Sequence, residues 1–249
     1  MDANVKTAVR TLAVFEAFGR ARKPLTLSEL ARTISVPLSS CHGLVATLRN
    51  RGYVYSVGAN RQVYPTRRIF DEAEAIVRND PLLETAAPVL ARLRDDTGET
   101  VILGGREPDA VVYLEVIEGL HTIRYTAKPG ELKPLHSSAI GKAMLASLGG
   151  EELTRVLSRL SLARITDATI TTEKALRSDL EEGRGRGLFV TRGENVADVM
   201  GMAVPATLAG QPLAVALAGP LGRMEEAFNA HAKRLKAAAA KLLRLGGGG

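Results

Sequence analysis

Residues 24–68, PLTLSELARTISVPLSSCHGLVATLRNRGYVYSVGANRQVYPTRR, read as two short helices joined by a tight turn, followed by a basic hairpin. Thr26 opens the first helix. Glu29 stands three residues on, so a capping box is expected, and Leu27, Leu30, Ala31 and Ile34 recur on one face. Ser35-Val36 is the turn. Pro37 suits the first turn of the next helix, where its missing N–H leaves nothing unsatisfied. That second helix is expected to run to about Asn50, with Leu38, Cys41, Leu44, Val45 and Leu48 as its buried stripe. The opposite stripe is Ser39, His42, Gly43, Ala46, Thr47 and Asn50. Small residues there let a backbone approach the major groove, while hydroxyl, imidazole and amide groups reach base edges or phosphates. An ordinary amphipathic helix would also carry a polar stripe, so the hairpin decides. Tyr53–Val57 and Gln62–Tyr64 read as strands, with Gly58-Ala59-Asn60-Arg61 as their turn. A basic hairpin directly after such a helix is a wing, which brings Asn60 and Arg61 to a phosphate backbone. The expectation is a winged helix-turn-helix whose Thr26, Ser39, Ser40, His42, Gly43, Thr47, Arg49, Asn60 and Arg61 face double-stranded DNA.

The charge distribution points the same way. Residues 1–70 hold eleven Lys or Arg and three Asp or Glu, an excess of eight cations. The other 179 residues hold 22 cations and 24 anions. The whole excess of the +6 chain therefore sits on the head, the footprint of a polyanion-binding module joined to a near-neutral one. Upstream, Val5, Val9, Leu12 and Phe15 fall on one face of a helix expected to end at Phe18, before Gly19. Phe15 and Phe18 are candidates for contact between two heads.

A chain of 249 residues with 45% hydrophobic content is long enough for two ordinary cores. No apolar run approaches the roughly 20 residues that span a bilayer, and MDANVKTAVRTLAVFEAFGR lacks a secretory apolar region and cleavage site. No membrane partner and a cytoplasmic location are expected. Cys41 is the only cysteine, which excludes an internal disulfide and a thiolate metal cluster. On the apolar stripe it reads as a small buried hydrophobe.

Downstream, Thr66–Val77 reads as a linker helix, and Pro81 ends it by pushing its neighbour out of the α region. The expected division is 1–65 for the head, 66–80 for the linker and 81–249 for a second domain. That domain opens with a helix over Leu82–Thr97. Strands follow at Thr100–Gly104, Ala110–Glu118 and Thr122–Ala127. Ser137 or Ser138 caps a helix to Ser147, and Glu151–Arg159 and Glu173–Arg184 are further helices. Leu188–Thr191, Met200–Thr207 and Pro212–Ala218 read as strands, before a last helix over Gly222–Leu245. Strands mixed with helices without strict alternation give an α+β class.

Catalysis has little to stand on. His136-Ser137-Ser138 lacks a carboxylate to orient the histidine. Ile140-Gly141-Lys142 is not a phosphate loop, because His136 stands where the first glycine belongs and Ala143 replaces the Ser or Thr. Four scattered histidines make no metal constellation, and no cofactor is expected. The alternative class is an enzyme of small-molecule metabolism with an appended basic domain. A binding role suits His136–Lys142 better: a helix N-terminus offers free N–H groups and a positive dipole end to a carboxylate, with His136 and Ser138 beside it.

The head, followed by the wing and YPTRRI, resembles that of the isocitrate lyase regulator (IclR) family of bacterial transcription factors. The second half resembles the same family independently: GELKPLHSSAIGKAMLASL its PLHxTAxGKAxLA segment, ITDATITTEKALRSDLEEGRGRGLFVTRGENVADVMGMAVPAT its T-x-x-T-I stretch and the strands after it, and ALAGPLGRM its closing SGPxxR. Residues 5–245 are covered in the family's order. The resemblance implies a GAF-like effector-binding domain, a dimer or dimer of dimers, and pocket positions at Thr122, Tyr125, Lys133, Ala139, Ile140, Thr191, Gly201, Ala216 and Ala218. Two departures matter. The family usually has arginine where this chain has Gly43, which shifts DNA readout to Ser39, Ser40, His42, Thr47 and the wing. Members that bind small organic acids tend to have aspartate, cysteine and serines at the positions of Thr191, Gly201, Ala216 and Ala218. The smaller, less polar groups here predict a roomier, apolar pocket for a larger effector, an aromatic acid or a derivative, with Tyr125 packing on it. The expected function is a repressor whose operator affinity is set by that small molecule.

Overall fold

Thr26 and Glu29 close the box that the sequence predicts. In the computed structural model, which describes residues 5–58 and 61–246, Glu29 N–H donates to Thr26 Oγ1 at 3.2 Å and Thr26 N–H donates to Glu29 Oε2 at 2.7 Å. The Thr26 contacts also hold the Glu29 carboxyl below its ordinary pKa. The chain divides into two compact units after Asp80.

The first unit comprises α1 (Lys6–Ala21), β1 (Leu25–Thr26), α2 (Leu27–Thr33), α3 (Leu38–Asn50), β2 (Val54–Val57), β3 (Gln62–Pro65) and α4 (Arg68–Arg78). Ser35, at φ 54°, makes the left-handed turn between α2 and α3. The three strands pair antiparallel in the order β1-β3-β2, with Tyr55 opposite Tyr64. Cys41, Val45 and Leu48 of α3 pack with Leu30, Val54 and Val63 in the core of this unit. The Cys41 thiol reaches the Leu27 carbonyl at 3.6 Å, and burial pushes its pKa up.

Three readings of the head change. Leu38 is exposed, because it is the first residue of α3 and lies outside the core. Gly19 does not end α1; the helix runs through it to Ala21, and Arg22 caps it at φ 52°. The face of α1 that packs inward is Val14, Ala17 and Phe18, whereas Val5, Val9 and Leu12 are 50% to 69% exposed. Helix α1 is apolar on two sides, and periodicity selects the longer stripe rather than the one the core receives. Phe18 therefore belongs to the core, where its ring meets Tyr64 edge-on at 5.8 Å. Helix α4 has no buried residue, and Ile76 and Val77 stand in solvent.

The second unit comprises α5 (Pro81–Thr97), β4 (Thr100–Arg106), β5 (Ala110–Ile117), β6 (Leu132–Pro134), α6 (Ala139–Ala146), α7 (Gly150–Leu157), α8 (Glu173–Arg186), β7 (Phe189–Arg192), β8 (Val199–Leu208), β9 (Gln211–Pro220), α9 (Leu221–Glu226) and α10 (Phe228–Gly246). A six-stranded antiparallel sheet runs β6-β5-β4-β9-β8-β7. Alternate residues of each strand serve opposite faces. Leu213, Val215 and Leu217 of β9 pack with α5 and α10, while Ala214, Ala216 and Ala218 face α6 and its neighbours. Both faces are covered, so β9 is apolar throughout instead of alternating. The alanines let α6 come close. Gly141 completes that approach: a Cβ on it would stand 2.3 Å from the Leu135 carbonyl oxygen.

The expected strand over Thr122–Ala127 is absent; this segment is irregular, and β6 takes the sheet edge beside β5. Thr100 fixes the segment instead, donating from Oγ1 to the Tyr125 carbonyl at 2.5 Å and accepting from Gly119 N–H at 3.0 Å. The predicted last helix is two helices that meet at Ala227.

Candidate functional site

On the head, α3 and the wing enclose an open cleft of about 400 Å³ lined by His42, Ala46, Arg49, Ser56, Gly58 and Arg61. Arg61 sits there in a left-handed turn at φ 52°. Among the described residues neither Arg49 nor Arg61 meets a carboxylate, whereas Arg67, Arg68 and Arg78 of the linker each pair with an acid on α4. The cleft thus presents two unneutralised cations, an imidazole and a hydroxyl, the donor set that phosphate and base edges take. Ser39, Gly43 and Thr47 lie on the exposed side of α3. Ser40, Gly43 and Thr47 also line a second groove toward α1 and Arg10. Thr47 spends its hydroxyl proton on the Gly43 carbonyl at 2.9 Å, and Thr26 is engaged in the α2 cap. Asn60 lies outside the described residues.

In the second unit, the N-terminus of α6 and the strands behind it enclose a cavity. Ser138 caps the helix, accepting from Gly141 N–H at 3.1 Å. Of the predicted pocket positions, Tyr125, Ser138, Ala139, Ile140, Thr191, Gly201, Ala216 and Ala218 line it. Thr122, Lys133 and His136 do not. Thr122 is exposed in the irregular segment. Lys133 Nζ is held by Glu131 at 2.9 Å. His136 is buried with Nε2 3.0 Å from the Ala163 carbonyl oxygen, and burial depresses its pKa. Ser137, within the predicted His136–Lys142 segment, also lines the cavity, and Tyr113, Asn195, Val196 and Val199 line it outside the predicted positions. Tyr113 had a signal, since it shares the inward period of β5 with Val111. Asn195 lies in a loop and had none.

Burial first, then the neighbouring Tyr125, pushes the Tyr113 phenol far up, so it keeps its proton. At Lys133 burial opposes the charge, but Glu131 and Tyr125 outweigh that and leave its pKa raised. The free volume of the cavity is about 40 Å³. A benzene-sized guest needs a void of roughly 150 Å³. The roominess expected from small side chains is therefore not present in this conformation. The space a side chain on Gly201 would fill is already taken, since its Cβ would lie 2.8 Å from Thr191 Oγ1 and 3.2 Å from Ala139 Cβ. Among the described residues no group of three or more His, Cys, Asp or Glu could hold a metal, and no helix is long and apolar enough to cross a membrane.

Comparison with known families decides what these two sites belong to. Residues 7–58 match the IclR helix-turn-helix domain, and residues 74–244 match the bacterial transcriptional regulator IclR C-terminal domain. The chain belongs to the IclR family. It is similar to the HTH-type transcriptional regulator BhcR of Paracoccus denitrificans, with 37% identity over 82% of this chain and 74% of the relative. The transcriptional repressor IclR of Escherichia coli is 30% identical over 74% of this chain and 68% of its own. Among solved structures, an IclR homolog from Microbacterium hydrocarbonoxydans complexed with 4-hydroxybenzoate superposes with a TM-score of 0.77 at 26% identity, covering 96% of this chain and 99% of that one.

As an IclR-family protein, the chain is a DNA-binding transcriptional regulator with a C-terminal effector domain. Its α3–wing cleft lies within the DNA-binding half, and its cavity lies within the effector half. The departure at Gly43 leaves an open place on α3, since no atom lies within 4 Å of where its Cβ would be.

Proposed function

We propose that this regulator is a repressor that leaves its operator when an aromatic acid enters the cavity of the second unit. The observation that carries the reading is the composition of that cavity. Two phenols, Tyr113 and Tyr125, stand with Ile102, Ile140 and Val199 around a capped helix N-terminus. Aromatic and aliphatic walls suit a ring, and the unpaired N–H groups of α6 suit its carboxylate. The 4-hydroxybenzoate complex of the Microbacterium homolog and the repressor named among the relatives support the reading. Ring entry requires the wall to move, because the cavity, at about 40 Å³, is too small. Isothermal calorimetry on the full chain tests this. Benzoate or 4-hydroxybenzoate should bind, and the bound form should hold operator DNA more weakly. Tight binding of glyoxylate or pyruvate, with no binding of benzoates, would overturn it.

On DNA, His42, Arg49 and Arg61 are proposed as the principal contacts, with Ser39 and Thr47 beside them. One such head spans a half-site, so a two-fold pair is needed for a full operator. The second copy is the occupant that fits the bare apolar side of α1. Leu12→Glu should weaken self-association at least about tenfold, read by sedimentation, while the helical circular dichroism signal holds because Leu12 lies outside the core. A variant that sediments like the wild type would place the contact elsewhere.

A further inference from the structure

Lys142 is fully buried and heads the largest buried side chains of the described residues. It does not line the cavity, although it lies one turn into the helix whose N-terminus does. Its Nζ stands 2.7 Å from Glu194 Oε1 and 2.9 Å from Asp179 Oδ2. A methionine would fill the same space without desolvating an ammonium, and buried ion pairs add little net stability over such a replacement. Packing alone therefore does not call for a lysine. Its partners suggest what does.

Glu194 belongs to residues 193–198, the strap between β7 and β8, and the cavity-lining Asn195 and Val196 follow it directly. Backbone bonds tie the two ends of this strap, Gly193 N–H donating to the Val199 carbonyl at 2.9 Å and Leu221 N–H to the Asp198 carbonyl at 2.9 Å, and side chains hold the part between. Thr166 Oγ1 donates to the Gly193 carbonyl at 2.6 Å, and Thr169 Oγ1 donates to the Glu194 carbonyl at 2.7 Å. Asn195 Nδ2 donates to Ser137 Oγ at 3.1 Å. Val196, its apolar member over the cavity, is 43% exposed, so apolar packing does little to seat it. The Lys142–Glu194 pair is the charged bond that joins strap to α6. Glu194 is itself only half satisfied: its Oε2 is buried without a partner, and burial raises its pKa.

The cavity of about 40 Å³ is too small for a ring, so some wall must yield. The α6 wall cannot, because Gly141 is pressed against the Leu135 backbone. The β8 and β9 walls are central sheet strands, and the irregular segment that brings Tyr125 is tied to the sheet by Thr100 and to α9 by Arg223. The strap is tied at its ends by backbone bonds, but at Glu194 and Asn195, where it meets α6 and the cavity, it is held by side-chain bonds, and one of them is charged.

We infer that Lys142 is a positioning residue for effector binding: by gripping Glu194 it holds the 193–198 strap down over the pocket and so limits the size of ligand admitted. This rests on the reading of the cavity as the effector site. Asp179 provides the internal contrast, because it engages the same ammonium from α8 and, among the described residues, makes no hydrogen bond or ion pair to the strap, although its charge bears on Glu194.

Hydrogen exchange read by mass spectrometry on the ligand-free full chain tests the device without any effector. In Glu194→Gln, the strap amides should exchange about tenfold faster than in the wild type, since a charge-assisted bond becomes a neutral one, while β8 and β9 amides keep their protection. Asp179→Asn should leave strap exchange unchanged. A merely structural network would loosen the strap alike in both variants, and that result, or no acceleration in Glu194→Gln, would overturn the inference. Calorimetry with benzoate and 2-naphthoate adds the size readout: the wild type should prefer benzoate by about tenfold or more, and Glu194→Gln should narrow that ratio to within about threefold. If the wild type binds neither probe, the aromatic reading of the effector fails, and the exchange comparison alone decides the strap.

Discussion

Arginine in place of Gly43 is expected to tighten operator binding by about tenfold at low salt and to steepen its salt dependence by about one unit of slope. Gly43 is exposed on α3, and nothing lies within 4 Å of the position its Cβ would take. The substitution is therefore free of steric penalty, and it removes a mid-helix glycine, which costs roughly 1 kcal/mol relative to alanine. Two effects are mixed in such a variant, and Gly43→Ala separates them. Alanine should raise the thermal midpoint through the helix term yet change operator affinity by no more than about twofold. Only a side chain that reaches a phosphate releases a further counterion. The measurement is fluorescence anisotropy over a range of salt concentrations, with an operator fragment selected from genomic DNA by the purified protein. If Gly43→Arg stabilises the head but binds with wild-type affinity and slope, the α3 face at this position turns to the groove beside Arg10 rather than to DNA.

Local chemistry made most of the head legible. Thr26 and Glu29 lie at the spacing of a capping box, and both of its bonds form. Cys41, Val45 and Leu48 recur at helical spacing and are buried together. Helix α1 misled because it has two apolar sides, and the sequence does not say which one a second surface will cover. In the second unit, strand alternation reported the sheet but not the irregular path after β5. That path is set by Thr100, more than twenty residues from the Tyr125 carbonyl it holds, and such long-range polar ties leave no periodic trace. The pocket divides in the same way. Ser138, Ala139 and Ile140 follow from a helix start, which is local. Asn195 and the Lys142–Glu194 pair join segments about fifty residues apart, so no spacing announces them. Pocket size is not legible in the sequence for a related reason. Counting small side chains gives the volume removed, not the volume left after Thr191 and Ala139 close on Gly201.

Exchange of Arg223 for methionine is expected to destabilise the second unit by about 3 kcal/mol, toward the lower end of the roughly 3–5 kcal/mol seen when a buried pair loses one partner. Glu99 is 0% exposed. Arg223 donates to both its oxygens, from Nε at 2.5 Å and Nη2 at 2.9 Å, and Nη2 also donates to the Ile123 carbonyl at 3.0 Å. The carboxylate occupies the space where Gly219 would carry a Cβ, 2.2 Å from Oε2. Glu99, Gly219 and Arg223 thus interlock, which explains the spacing of glycine and arginine in ALAGPLGRM: one leaves room for the carboxylate, and the other neutralises it from four residues further on. The arginine flank is 31% exposed, so water softens the loss and holds the figure low. The sign of a second change separates charge from packing. Glu99→Gln added to Arg223→Met removes the stranded charge, and the double variant should recover about 1–2 kcal/mol over Arg223→Met alone, read by urea unfolding. If the double variant is instead less stable than Arg223→Met by the full effect of Glu99→Gln, the two residues act independently, and the arginine serves the irregular segment through Ile123 rather than the buried carboxylate.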